Sequence, residues 1–304
     1  MIIWLNGELV PLEAAAISPL DHGLVVGDGV FETLRVYRGV PFAWTRHLAR
    51  LHGSAAGLGL AAPDAGELRA AADAVLAAND LTEARLRITV TGGVAPPGSR
   101  RAPVPPTVFL VAVPLEPVAE AVEVVIVPWT RNEGGALAGL KTISYAENVR
   151  ALAYAEDRGA YEAIFPNTRG NLCEATGSNV FLVLDGACCT PPVSAGCLNG
   201  VTRQLLLDLG RANGLAIEER DVPVGALCDA EEAFVASTVR EVQAIASVDG
   251  HPVPNAPGPV TRRLAALFTD LTTRDLDPQT SRRRWMTSPA VTICSVPSSR
   301  VTTR

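Results

Sequence analysis

The stretch Gly139-Leu140-Lys141-Thr142-Ile143-Ser144-Tyr145-Ala146-Glu147-Asn148 holds the only lysine in a chain of 304 residues, whose Lys and Arg together number 26. All the remaining basic residues are arginine. A guanidinium stays protonated at any working pH, whereas a buried amine can lose its proton and attack a carbonyl. A chain that meets every other need for positive charge with arginine therefore marks Lys141 for amine chemistry. Arginine-only basicity with abundant Ala, Gly and Pro is also what a GC-rich genome produces, so a chance surface lysine is the competing reading. Small and apolar residues lead up to Lys141 and an amphipathic run (Ala151, Leu152, Ala155) follows it. That pattern puts the lysine where a strand or loop feeds a helix.

At this length, with 48% hydrophobic residues, the chain can bury a large core and is expected to form two domains. A net charge of −6 argues against a nucleic-acid partner. No apolar run approaches the ~20 residues of a membrane span, and Met1 to Gly7 lacks the basic start of a signal peptide, so a soluble cytoplasmic protein is expected. The six cysteines show no Cys-x-x-Cys spacing and the four histidines are scattered, so no metal site is expected.

Ile3 to Val10 reads as a hairpin around Asn6-Gly7. A strand is expected from Gly29 to Tyr37, and Thr45 is expected to cap a helix that stops at Gly57-Leu58-Gly59. His47, Arg50 and Ser54 share one face of that helix. Gly27-x-Gly29 would need glycine at position 32 to read as a dinucleotide loop and has Glu32 instead, which sets a nicotinamide cofactor aside. Periodicity lapses from Pro114 to Ala121 and resumes at Val122, so domains at 1–117 and 122–272 with a linker at 114–121 are expected. Alternating helices and strands in the second half argue an α/β (α+β) fold. The tail at 273–304 has no core-forming period and is expected to be disordered.

Three further segments look like handles for an anion or cofactor. Leu198-Asn199-Gly200-Val201-Thr202-Arg203 delivers a hydroxyl and free N–H groups at a helix start, which suits a phosphate. Thr202 acting only as a helix cap is the alternative. Ser237-Thr238 forms a second hydroxyl turn after a strand, and Glu174 precedes an apolar strand as a carboxylate that could hold a pyridinium proton or merely cap a turn. One amine, one carboxylate, two hydroxyl turns and the arginine of a basic helix are what pyridoxal 5′-phosphate (PLP) needs.

At these positions the sequence resembles the fold-type IV PLP enzymes, the class IV aminotransferase family, which includes branched-chain and D-amino-acid aminotransferases and 4-amino-4-deoxychorismate lyase. The resemblance spans about residues 2–272. It is carried by Gly27 to Thr33, His47 to Leu51, Leu140 to Asn148, Glu174 to Phe181, Thr190-Pro191-Pro192, Gly200 to Arg203, and Ser237-Thr238 with Glu241. It implies a small N-terminal and a larger C-terminal α/β domain with PLP at their junction, and a homodimer whose second subunit helps close each site. It further implies Lys141 as the Schiff-base lysine and acid/base, and Glu174 as partner of the pyridine nitrogen. Arg50, Val201 through its N–H, Thr202 and Thr238 would hold the phosphate.

The resemblance leaves the reaction between two outcomes. Thr33 stands where branched-chain enzymes carry glycine and the lyase carries a threonine thought to assist elimination. The wording from Lys141 to Asn148 is also lyase-like, so elimination of pyruvate to give 4-aminobenzoate is the leading expectation. Arg87 matches a carboxylate-binding arginine of the branched-chain enzymes and Thr238 to Glu241 follows their pattern, so an amino-acid transaminase is the alternative. Gly92-Gly93 stands where D-amino-acid enzymes carry arginine. A dimeric PLP-binding protein without catalysis is the remote alternative.

Overall fold

Asn6 and Gly7 both take positive φ, 48° and 103°, as a two-residue hairpin turn of the I′ kind demands. They join β1 (Ile2–Leu5) to β2 (Glu8–Pro11) in a computed structural model that describes residues 1–279. With β3 (Gly29–Tyr37), β4 (Val40–Pro41), β5 (Ala84–Thr91) and β6 (Val108–Pro114) they form a six-stranded sheet in the order β2-β1-β6-β5-β3-β4. Burial alternates along β6 and the first half of β5, as on a half-covered sheet, while β3 is buried along most of its length. Val30, Leu34 and Val36 of β3 pack with Leu51, Leu68 and Val75, which come from helices α2 (Trp44–Leu58) and α3 (Ala65–Ala78). A short α1 (His22–Val26) precedes β3.

The second sheet has nine strands: β7 (Ala121–Ile126), β8 (Glu162–Pro166), β9 (Leu172–Ala175), β10 (Asn179–Leu184), β11 (Ala187–Thr190), β12 (Ile217–Glu219), β13 (Glu232–Ser237), β14 (Glu241–Val248) and β15 (His251–Pro252). Its order is β12-β11-β10-β13-β14-β7-β8-β9, with β15 on β14, and parallel pairs occur at β7·β8, β7·β14 and β11·β12. Helix α4 (Ala146–Glu156) packs Ala151 and Ala155 with Val125 and Phe165, and α5 (Val201–Ala212) and α6 (Pro259–Arg274) cover the face of Phe181 and Phe234. Those two rings are register partners and stack at 4.8 Å. Tyr37 of β3 and Phe42, just past β4, join the same core, Phe42 meeting Phe268 edge-on at 5.7 Å. The chain is thus a mixed α/β structure, and we propose each sheet with its helices as one of two domains. Among the described residues no helix is long and apolar enough to cross a membrane.

Two expectations change. Thr45 does not cap α2, because it lies inside the first turn. The cap position is Ala43, at φ 52° and with no side chain to offer. The missing acceptor comes from Asp277, which takes Thr45 N–H at 3.0 Å and Thr45 Oγ1 at 2.6 Å. Residues 273–279, read as the start of a disordered tail, are therefore held. Helix α6 continues to Arg274, Leu276 O accepts from Ala43 N–H at 2.7 Å, and Pro278 O accepts from Arg46 Nε at 2.9 Å. The rest of the expected tail, 280–304, lies outside the described residues. Asp277→Ala should cost about 1 kcal/mol as a lost N-cap and lower the melting temperature by about 2–4 °C in circular-dichroism unfolding; an unchanged melting temperature would remove Asp277 as the cap.

Candidate active site

Lys141 lies in the long loop between β7 and α4 and is fastened to the first sheet. Its carbonyl accepts from Phe31 N–H at 3.0 Å, Ile143 N–H donates to Gly29 O at 2.9 Å, and its own N–H donates to Ser54 Oγ at 3.1 Å. The approach is close enough that a Cβ on Gly29 would lie 2.6 Å from Val90 O and 2.8 Å from Ile143 Cδ1. Glycine is required there by contact alone. The amine ends 4.3 Å from the centre of the Phe31 ring. Its pKa falls to about 8, because burial disfavours the charged form and Arg50 repels it, with Glu32 and Glu174 pulling the other way.

Helix α2 supplies the next groups. Arg50 grips buried Glu32 through Nε and Nη2, both at 2.8 Å, and His47 Nδ1 meets the same carboxylate at 2.7 Å. Burial pushes Glu32 up, but the Arg50 charge, its hydrogen bonds and His47 outweigh that and hold the group at about 2. The shared polar face of His47, Arg50 and Ser54 is thus turned inward. Arg50 Nη1 reaches Asn199 O at 3.4 Å, beside the start of α5.

At that start Gly200 takes extended backbone and offers no side-chain cap, leaving the N–H groups of the first turn for another acceptor. A Cβ on Gly200 would lie 2.0 Å from Asn179 Oδ1, so the packing of Asn179 fixes the glycine. Glu174 on β9 accepts from Arg131 Nη1 at 2.6 Å and from Leu198 N–H at 2.9 Å. Arg131 also donates to Asn148 Oδ1 at 3.0 Å and lies over the Phe165 ring.

These groups surround a cavity of about 350 Å³. Lys141, Glu174, Arg50, Val201, Thr202 and Thr238 all line it. Thr33 and Arg87 are not in its lining. They face each other in register on β3 and β5, next to Phe31, whose ring Arg87 covers at 3.8 Å. Sequence reading missed Arg131, Tyr145 and Ser178, which also line the cavity. Arg131 sits in an irregular loop without periodicity, and its pairing with Glu174 and Asn148 shows its place.

The donor set fits PLP. An amine, a carboxylate, an uncapped helix start, a hydroxyl turn and a guanidinium converge on one cavity, and buried Ser178 Oγ lacks a hydrogen-bond partner among the described residues. Lys141 would hold the aldehyde carbon, Glu174 the ring nitrogen, and Arg50, Val201, Thr202 and Thr238 the phosphate.

The profile of the family described as "Amino-transferase class IV" matches residues 29–248. A putative branched-chain-amino-acid aminotransferase of Methanocaldococcus jannaschii is 33% identical over 280 residues, covering 90% of this chain and 97% of that protein. A D-alanine aminotransferase of Bacillus licheniformis is 33% identical over 275 residues, covering 87% and 94%. The crystal structure of a T.th. branched-chain amino acid aminotransferase with pyridoxamine 5′-phosphate matches with a TM-score of 0.84 at 26% identity, covering 90% and 94%.

In protein stripped of cofactor, pH-dependent acylation of Lys141 followed by mass spectrometry should show a midpoint near about 8. Arg50→Gln should move that midpoint upward by removing a repelling charge and freeing Glu32; a wild-type midpoint at the ordinary lysine value of about 10.4 would refute the buried, cation-flanked environment.

Proposed function

The chain belongs to the class IV aminotransferase family, whose enzymes work with pyridoxal 5′-phosphate, and from that premise we propose that it is an amino-acid transaminase of branched-chain type. It would move an amino group between an aliphatic amino acid and a 2-oxo acid. The observation that carries this reading is Arg87. Its guanidinium is half-buried, touches the ring that also carries the Lys141 amine, and has no carboxylate partner among the described residues. The side-chain hydrogen bond it does make runs to Thr89 Oγ1 at 3.2 Å. A cation left unpaired beside the reacting amine calls for a carboxylate from outside, and an amino acid brings one.

This reverses the expected order of lyase and transaminase. The lyase reading rested on Thr33 and on the wording from Lys141 to Asn148; Thr33, like Arg87, stands outside the cavity lining, and it is the relatives at 33% identity, which are aminotransferases, that favour the transaminase. The D-amino-acid branch is disfavoured by packing at Gly92-Gly93. A Cβ on Gly92 would lie 2.3 Å from Asp28 Oδ2, and Gly93 has φ 75°, so neither position accepts the arginine of that branch.

Bound in the cavity, PLP supplies an aldehyde for the amine and a ring that accepts electrons released at the amine-bearing carbon. The residues do the rest. Lys141, with its pKa lowered to about 8, can take the proton from that carbon near neutral pH and return it to the carbon on the other side of the nitrogen. Glu174 keeps its carboxylate aimed into the cavity because Arg131 and Leu198 N–H each engage one oxygen. Arg87 orients the substrate carboxylate. We further infer a homodimer, in which a second copy covers the exposed Leu20, Leu24, Val25 and Val26 around α1.

L-leucine with 2-oxoglutarate should yield glutamate, with D-alanine and aminodeoxychorismate turned over poorly. Arg87→Ala should raise the KM for the amino acid roughly 10- to 100-fold, and Lys141→Ala should abolish turnover and the borohydride-reducible visible band. Formation of 4-aminobenzoate without any glutamate product would overturn the assignment.

A further inference from the structure

Glu162 carries no part of the chemistry above, yet it is completely buried on β8 with its charge paired. One oxygen, Oε1, accepts from Ala163 N–H at 2.9 Å, from Thr176 N–H at 3.2 Å and from Thr176 Oγ1. The other, Oε2, accepts from Arg240 Nη1 at 2.7 Å. A buried carboxylate bears a large desolvation cost and persists where its partners need it. Its partners here belong to two turns that line the cavity from different strands. Thr176 opens the Thr176-Gly177-Ser178 turn just after Glu174, and Arg240 closes the Ser237-Thr238 turn between β13 and β14.

The Thr238 turn is gripped from its other flank as well. Arg35 on β3 donates through Nη1 to Val239 O at 3.2 Å and pairs with Glu241 at 2.8 Å, and Tyr37 OH donates to the same Glu241. Glu241 has φ 56°, which a side-chain-bearing residue adopts only under constraint. Within the turn itself Arg240 N–H donates to Ser237 Oγ at 3.3 Å, a local bond that closes the turn, while the pairs to Glu162, Arg35 and Tyr37 tie it to the rest of the structure.

We propose that Glu162 and Arg240 are positioning residues that lock the Thr238 turn to the Thr176–Ser178 turn, holding the hydroxyl and N–H donors that receive the cofactor's phosphate at a fixed separation. The inference rests on the reading that the Thr238 turn binds that phosphate. The pair acts by geometry, since neither side chain is in the cavity lining.

The test uses holoenzyme in two measurements: the rate of PLP loss to an excess of a trapping apoprotein, and amide hydrogen exchange over residues 237–241. Arg240→Ala should speed cofactor loss about tenfold and raise exchange in that turn, with Arg240→Lys restoring most of both. Glu162→Gln keeps the acceptor for Thr176 and removes the charge, so it should act in the same direction as Arg240→Ala and add little to it in the double variant. Lys141 should still be labelled by borohydride throughout, which keeps the PLP assignment separate. Unchanged cofactor loss with a lowered melting temperature would overturn the proposal as a purely structural pair. Raised exchange with unchanged cofactor loss would overturn it by removing the Thr238 turn from the phosphate.

Discussion

Two backbone hydrogen bonds decide where the amine stands, from Phe31 N–H to Lys141 O and from Ile143 N–H to Gly29 O. They attach the loop after β7 to the start of β3, so the lysine belongs by connection to one sheet and by contact to the other. Everything around it follows from the two-residue period of that strand. Phe31 faces the amine, and Glu32 points to the opposite side, where it meets Arg50 and His47 of α2. Arg50 in turn reaches the start of α5 through Asn199 O. A slip of one residue in the pairing would exchange the two faces and send the carboxylate to the cavity.

The charges near Lys141 are close to balanced, yet its amine is easier to deprotonate than a free one. Arg50 and Arg87 repel the proton, and Glu32 and Glu174 attract it. Both carboxylates are already engaged, Glu32 by Arg50 and His47, Glu174 by Arg131 and Leu198 N–H. They therefore act on the lysine only as distant charges, and burial decides the direction. An unpaired carboxylate at hydrogen-bond distance would have had the opposite effect and left a poor base. The pairing within the site thus serves the lysine as much as it serves the carboxylates.

As cavity-lining residues Lys141, Glu174, Val201, Thr202 and Thr238 were legible because each lies next to punctuation that sequence displays, a glycine turn, a helix start or the edge of an apolar strand, and Arg50 because its helical spacing puts it on one face with His47 and Ser54. The hairpin at Asn6-Gly7 and the main helices and strands were legible for the same reason, since period and turn residues are local. Arg131 was not, because its place in a loop is set by Glu174, Asn148 and Glu147, which come to it from β9 and α4. Asp277 was invisible as the cap of α2 since the acceptor is supplied from the far end of the chain. A tail poor in apolar residues reads as structureless even where its backbone and one carboxylate are bound.

Thr33 shows why residue identity at a matching position is weaker than geometry. On a strand only alternate residues share a face, and successive members of that face are ~6.6 Å apart. Along β3 the row is Phe31, Thr33, Arg35 and Tyr37. Phe31 meets the amine, so Thr33 is one step further from it and opposite Arg87 in register. Arg35 and Tyr37 are further still, where they reach Val239 O and Glu241 of the Thr238 turn. One strand therefore serves the lysine at one end and the turn proposed to hold the phosphate at the other, with Thr33 between them opposite Arg87, which covers the ring that the amine also meets. A threonine in that middle position can shape the space beside Arg87.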